Sequence, residues 1–235
     1  MKATEGELLW LSRALEEEYG RGSAYPEDPP LSGEPDSALG TLVVTMLSQA
    51  SNDAGTRKVY RAMRERFPTW ESVATAPHSD LVDVLRSGGL AEGKAQNIQA
   101  TLKRIRSDFG DYSLRALRSW DDQEVYDYLT GLPGVGPKTA ACVLLFALGR
   151  EAFPVDTHVA RISRRLGLVP KNYDPARIQA HLEPLIPRGH SLPLHLNLLE
   201  HGRKTCHARK PNCTACILSE RCDRIRNNEY SADGN

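Results

Sequence analysis

One stretch, Leu132-Pro133-Gly134-Val135-Gly136-Pro137-Lys138-Thr139-Ala140, constrains this chain more than any other. Upstream, Asp121 with Glu124 three positions on reads as a capping box before Val125 and Leu129, so a helix enters the segment and ends near Gly131. Downstream, Pro137 at a first helical position opens a second helix. Its run from Ala140 to Leu148 is apolar almost all round and reads as buried. The two-glycine turn between them leaves backbone N–H groups exposed, and the helix N-terminus behind it adds partial positive charge. Gly134 and Gly136 thereby suit a DNA phosphate, with no base being read. An ordinary glycine-rich connection would use similar residues, but helix, Leu-Pro-Gly-Val-Gly and helix in succession is a rarer pattern.

The rest of the chain is helical too. Leu8, Leu9, Leu11, Ala14 and Leu15 mark an amphipathic first helix that stops at Gly20, and Ser23 to Pro35 reads as a Pro-rich acidic linker. Asp36 or Ser37 can cap a helix through Leu39, Leu42, Val43, Met46 and Leu47, and Asp174-Pro175 places a cap before an N1 proline. Strand signals are nearly absent, so the predicted class is all-α. No apolar run approaches the roughly 18–20 residues of a membrane span. The acidic first twenty residues lack signal-peptide character, and the protein is expected in the cytosol, nucleoid-associated if bacterial.

Net charge is zero, yet residues 1–37 hold three basic against nine acidic side chains, leaving 27 basic and 21 acidic in the remainder. Arg57, Lys58, Arg61, Arg64 and Arg66 form one basic cluster, and Arg161, Arg164 and Arg165 another. That distribution permits a polyanionic partner without establishing one, since solvated helix faces look alike.

With Lys138 after the hairpin, and Phe153-Pro154-Val155-Asp156-Thr157-His158-Val159 placing Asp156 eighteen positions further on, the chain resembles the endonuclease III branch of the helix–hairpin–helix DNA glycosylases. The resemblance covers most of residues 37–224 and implies two catalytic residues, Lys138 and Asp156. An amine that attacks a sugar carbon must be neutral, and the first turn of a helix disfavours a cation. Asp156 is expected to shuttle a proton or stabilise the cationic sugar, with His158 a structural member of its motif. A solvated lysine and a helix N-cap are the bland alternatives for the two.

Five cysteines, an odd number, argue against a disulfide framework. Cys206, Cys213, Cys216 and Cys222 give Cys-x6-Cys-x2-Cys-x5-Cys, a thiolate set open to zinc or to iron–sulfur, with the spacing leaning modestly toward the second. The resemblance implies a [4Fe–4S] cluster, bound with Arg209 and Lys210 on a basic, DNA-facing loop. Cys142 is left over as a packing residue. The resemblance further implies that Gln49 enters the space opposite the lesion and Leu90 wedges the complementary strand, although Leu90 also suits a core. Pro137 stands where the family usually has arginine, and Ala91 where an aromatic is common.

The expectation is therefore a monomer of two helical lobes with an active cleft between them. A six-helix lobe spans residues 37–149, and a cluster lobe combines 1–36 with 150–235. It would act on double-stranded DNA carrying damaged pyrimidines or abasic sites, releasing the oxidised base and cutting the strand by β-elimination. A monofunctional mismatch glycosylase is disfavoured by Lys138 and by the short stretch after the cysteines. A non-catalytic DNA-binding or redox module on the same fold is disfavoured by Lys138 together with Asp156.

Overall fold

Apolar residues at helical spacing, punctuated by side-chain caps, build an all-helical protein. The structure, a computed structural model, describes residues 3–21 and 37–227. The linker expected over Ser23–Pro35 and the Asp36 cap lie outside them. In chain order the helices are α1 (Glu5–Tyr19), α2 (Ser37–Ser48), α3 (Asp53–Arg66), α4 (Trp70–Thr75), α5 (His78–Leu85) and α6 (Ala91–Phe109). They continue with α7 (Asp122–Thr130), α8 (Pro137–Cys142), α9 (Thr157–Arg165), α10 (Pro175–Leu182), α11 (Ser191–Lys204) and α12 (Asp223–Arg226). Among the described residues there is no strand. No helix among them is long and apolar enough to cross a membrane.

The chain divides into two units, one of Met1–Glu27 with Glu151–Asn235 and one of Asp28–Arg150. In the second unit α2 is the central element, with Leu39, Leu42, Val43, Met46 and Leu47 buried. It packs against α3, α6 and α8, while α4 and α5 close on α6. This unit holds α2 to α8, one helix more than the expected six, because the short α4 stands on its own Thr69–Ser72 capping box. The Asp121–Glu124 box forms as read from the sequence, with both reciprocal bonds made. After Cys142 the buried helix loosens into a π-turn over Val143–Ala147.

In the first unit Leu8, Leu11 and Leu15 of α1 pack with Phe153, Val159 and Ile162 and with Leu194 and Leu198 of α11. Burying each leucine contributes about 1.5–3 kcal/mol. Polar bonds fix the docking: Ser12 Oγ lies 2.9 Å from His190 Nδ1, Tyr19 OH lies 3.0 Å from His201 Nδ1, and Asn197 Nδ2 donates to Gly20 O at 2.9 Å. Asp174 caps α10 ahead of Pro175, its Oδ1 accepting from Arg177 N at 2.8 Å. The lobe is not organised as a cluster domain, and that part of the expected fold class does not stand.

Candidate active site

The hairpin between α7 and α8 is a reverse turn in which Val135 N donates to Leu132 O at 3.2 Å. Pro133 and Gly134 occupy its middle, and Gly134 has φ +73°, the left-handed value that a proline-led turn of type II requires at its second central residue. A Cβ at Gly134 would lie 2.5 Å from Asn97 Nδ2 and 2.8 Å from Asn97 Cβ. The neighbouring carbonyls are held by side chains: Thr101 Oγ1 donates to Pro133 O at 2.9 Å, and Gln49 Nε2 to Gly134 O at 3.1 Å. Leu132 and Val135 anchor the turn in the core. The N–H groups of Gly134 and Gly136 make no hydrogen bond among the described residues, so both remain available to an anion. Gly134→Ala is expected to cost about 2 kcal/mol or more, from backbone strain plus the Asn97 overlap, or roughly 5 °C in Tm. It should also weaken affinity for undamaged duplex. Thermal unfolding and a binding titration check both.

Gly136 caps α8, Pro137 takes its first position, and Lys138 follows. The Lys138 side chain is half-buried and has no hydrogen-bond or ion-pair partner within its unit. Local structure thus presents an unengaged amine beside free backbone N–H groups.

Two further turns in the same unit carry the residues expected to enter the duplex. Gln49 and Ala50 follow the end of α2, both exposed, with Ala50 at φ +51°. Leu90 precedes α6 with φ +52° and ψ +36°, and at 67% exposure it is solvent-facing and not a core residue. A leucine in the left-handed region costs about 1–2 kcal/mol. Leu90→Asn, which tolerates that conformation better than leucine, is expected to raise stability by about 1 kcal/mol while slowing processing of duplex lesions. A faster or unchanged rate on duplex would remove Leu90 from the site.

The side chain of Asp156 caps α9 in the other unit: Oδ1 accepts from Val159 N at 2.8 Å. Oδ2 has no hydrogen bond within that unit. Both the bland and the chemical assignment therefore have a physical basis, because one oxygen holds the carboxylate and leaves the other free. His158 faces inward, with Arg161 Nη2 3.0 Å from Nδ1, and burial pushes its pKa below the ordinary histidine value. That environment fits a structural histidine.

The cysteine segment departs from expectation. Cys206, Cys213, Cys216 and Cys222 all line one small pocket, with Ile162, Leu166 and Leu218 beside them. Among the described residues no group of three or more His, Cys, Asp or Glu side chains is placed to hold a metal ion. Three of the four sulfurs have other partners: Arg165 Nη1 donates to Cys206 Sγ at 3.2 Å, Cys222 Sγ donates to Arg165 O at 3.3 Å, and Cys216 Sγ lies 3.6 Å from His201 Nε2. Burial pushes the Cys216 thiol up to about 11 and raises Cys213 and Cys222 as well. The [4Fe–4S] cofactor, the metal-binding assignment of these four residues and the iron–sulfur type of the family resemblance are corrected accordingly.

Arginines organise the loop instead. Arg161 Nε donates to Cys206 O at 2.9 Å, while Arg165 donates to His207 O at 2.6 Å and Ala208 O at 2.9 Å. This use of Arg161 and Arg165 explains a basic cluster that charge alone left open to a polyanion. Arg209 and Lys210 are exposed at the loop tip, with Lys210 at φ +49°. The sequence reading missed Lys94, Asn97 and Thr101, which support the hairpin and the two turns. Lys94 had a signal, since it falls in the buried stripe of α6 with Ile98, Leu102 and Ile105.

Comparison with known proteins agrees with this geometry. Residues 43–188 match the family model of the HhH-GPD superfamily base excision DNA repair protein. The chain is 38% identical over 183 residues to an endonuclease III of Synechocystis sp., covering 77% of this chain and 78% of that one. It is 36% identical over 177 residues, 75% of its length, to an Arabidopsis thaliana relative named as a DNA glycosylase, and spans 60% of that longer protein. A solved endonuclease III, trapped as a covalent intermediate with DNA, superposes with a TM-score of 0.79 at 28% identity, over 97% of this chain and 99% of that one.

Proposed function

This chain belongs to the HhH-GPD superfamily of base excision DNA repair proteins, and from that premise we propose that it is a bifunctional DNA glycosylase and abasic-site lyase. It removes a damaged base from duplex DNA and then cuts the abasic strand. The observation that carries the reading is Lys138, an amine without a partner in its unit, one position into the helix that follows a hairpin with free N–H groups.

The hairpin holds a backbone phosphate through Gly134 and Gly136, which positions the sugar without reading sequence. Lys138 Nζ, after giving up a proton, forms a bond to the anomeric carbon as the bond to the base breaks and the base leaves protonated. Ring opening then yields an imine. Loss of a proton from the adjacent sugar carbon expels the 3′ phosphate and cuts the strand. Asp156 stabilises the cationic sugar or carries the proton through its free oxygen. Gln49 fills the space left by the extruded nucleotide and Leu90 replaces lost stacking on the other strand. Arg209 and Lys210 contact phosphates at the flank. The substrates are oxidised pyrimidines and abasic sites, met on DNA in the cytosol.

Borohydride trapping tests the reading on two duplexes, one with thymine glycol and one with an abasic site. A covalent adduct on both supports the full proposal. An adduct on the abasic duplex alone limits the protein to a lyase of different base preference. No adduct on either overturns the lysine mechanism and leaves a DNA-binding module.

A further inference from the structure

Lysine is rarely buried, because its ammonium loses water that must be replaced by hydrogen bonds. Lys94 is 5% exposed, and burial pulls its pKa below the usual lysine value. Its Nζ donates to Leu47 O at 2.7 Å and to Gly88 O at 2.8 Å. Leu47 lies at the end of α2, where the last carbonyls of a helix lack intrahelical donors, and Gly88 ends a short 3₁₀ turn over Arg86–Gly88.

Each of these carbonyls stands two residues before one of the exposed side chains, Leu47 before Gln49 and Gly88 before Leu90. One ammonium therefore clamps the bases of both projecting turns. The turns also abut, since a Cβ at Gly89 would lie 3.6 Å from Ala50 O. Ala50 and Leu90 are both left-handed, a conformation that persists only where the surroundings over-determine it. Water could satisfy two turn carbonyls at lower cost. A buried lysine adds something water does not: a fixed spacing between the two turns.

We infer that Lys94 is a positioning residue that sets Gln49 and Leu90 at one spacing, so that both strands of the duplex are engaged in a single motion. The inference rests on the reading that these two side chains enter the duplex. It predicts that opening fails to be concerted when the clamp is removed, while chemistry on DNA that needs no opening continues.

The test uses Lys94→Met, Gln49→Ala/Leu90→Ala and the triple variant. Two readouts apply: single-turnover base release from a thymine glycol duplex, and fluorescence of 2-aminopurine opposite a tetrahydrofuran abasic analogue. Cleavage of a single-stranded abasic oligonucleotide serves as the reference reaction. Lys94→Met should lose tenfold or more in base release and most of the 2-aminopurine change, with single-strand cleavage within twofold of wild type. The triple variant should be no worse than the Gln49→Ala/Leu90→Ala pair.

If the pair behaves as wild type, the insertion reading fails. If the pair is impaired and Lys94→Met is not, or if the losses add in the triple variant, the clamp is wrong. Should Lys94→Met not fold, Lys94→Gln retains a donor for one carbonyl and is read in the same cycle. An equal loss on single-stranded and duplex DNA would also overturn the inference, marking a general structural role.

Discussion

Lys138→Gln should bind duplex DNA and fold as the parent does, yet form no borohydride-trapped adduct. The fold is insensitive for a local reason. Lys138 is half-buried in the first turn of α8 and has no partner in its unit, and glutamine has nearly the helix propensity of lysine. Stability should therefore change by no more than about 0.5 kcal/mol. The chemistry is sensitive because the amide nitrogen of glutamine is no nucleophile and cannot form an imine. Removing a covalent nucleophile typically costs on the order of 10⁴-fold or more in rate. At about 1.4 kcal/mol per factor of ten, that loss exceeds 5 kcal/mol of transition-state stabilisation. Circular dichroism, a binding titration and strand cleavage on abasic duplex separate the three properties. Cleavage at the parental rate would remove Lys138 from the mechanism, and a folding defect would mean that its side chain has a structural duty.

The sequence made some of these parts legible because their information is local. The Asp121–Glu124 box, the Asp174-Pro175 start and the two-glycine turn each rest on neighbours within a few residues, and each forms. What holds those parts in place is not local. Asn97 and Thr101 reach the hairpin from α6, across more than thirty residues of sequence, and Lys94 reaches back to Leu47. A basic cluster could be read as an outward face until the carbonyls of the 205–212 loop took up Arg161 and Arg165. Leu90 could be core or wedge until its backbone conformation turned it to solvent. The four cysteines show the opposite failure: their spacing, read with a resemblance, suggested a ligand set, but three of the sulfurs are engaged by Arg165 and His201, and among the described residues no three such side chains are placed to hold a metal ion.

Asp156 carries the second large effect, and here two substitutions must be compared. Asp156→Ala removes the cap from Val159 N, worth about 1 kcal/mol, together with the charge. Asp156→Asn keeps an oxygen for that N–H, since asparagine caps about as well as aspartate, and removes only the charge. The helix dipole loses a favourable neighbour in both, at about 0.3–1 kcal/mol. Thermal unfolding should thus rank parent, asparagine and alanine in descending order, with alanine lower by roughly 2–4 °C per kcal/mol. If the carboxylate serves only as a cap, rates should follow the same ranking and Asp156→Asn should work nearly as well as the parent. If its free oxygen stabilises the cationic sugar or moves the proton, both variants should fall together, by roughly 10²–10⁴-fold. Base release is the step to measure, because an abasic substrate already presents its sugar carbon without a base to expel. A fall in base release that exceeds the fall in abasic cleavage would place the carboxylate at bond breaking to the base. Equal falls would place it at a step common to both, and asparagine at the parental rate would leave Asp156 a cap and nothing more.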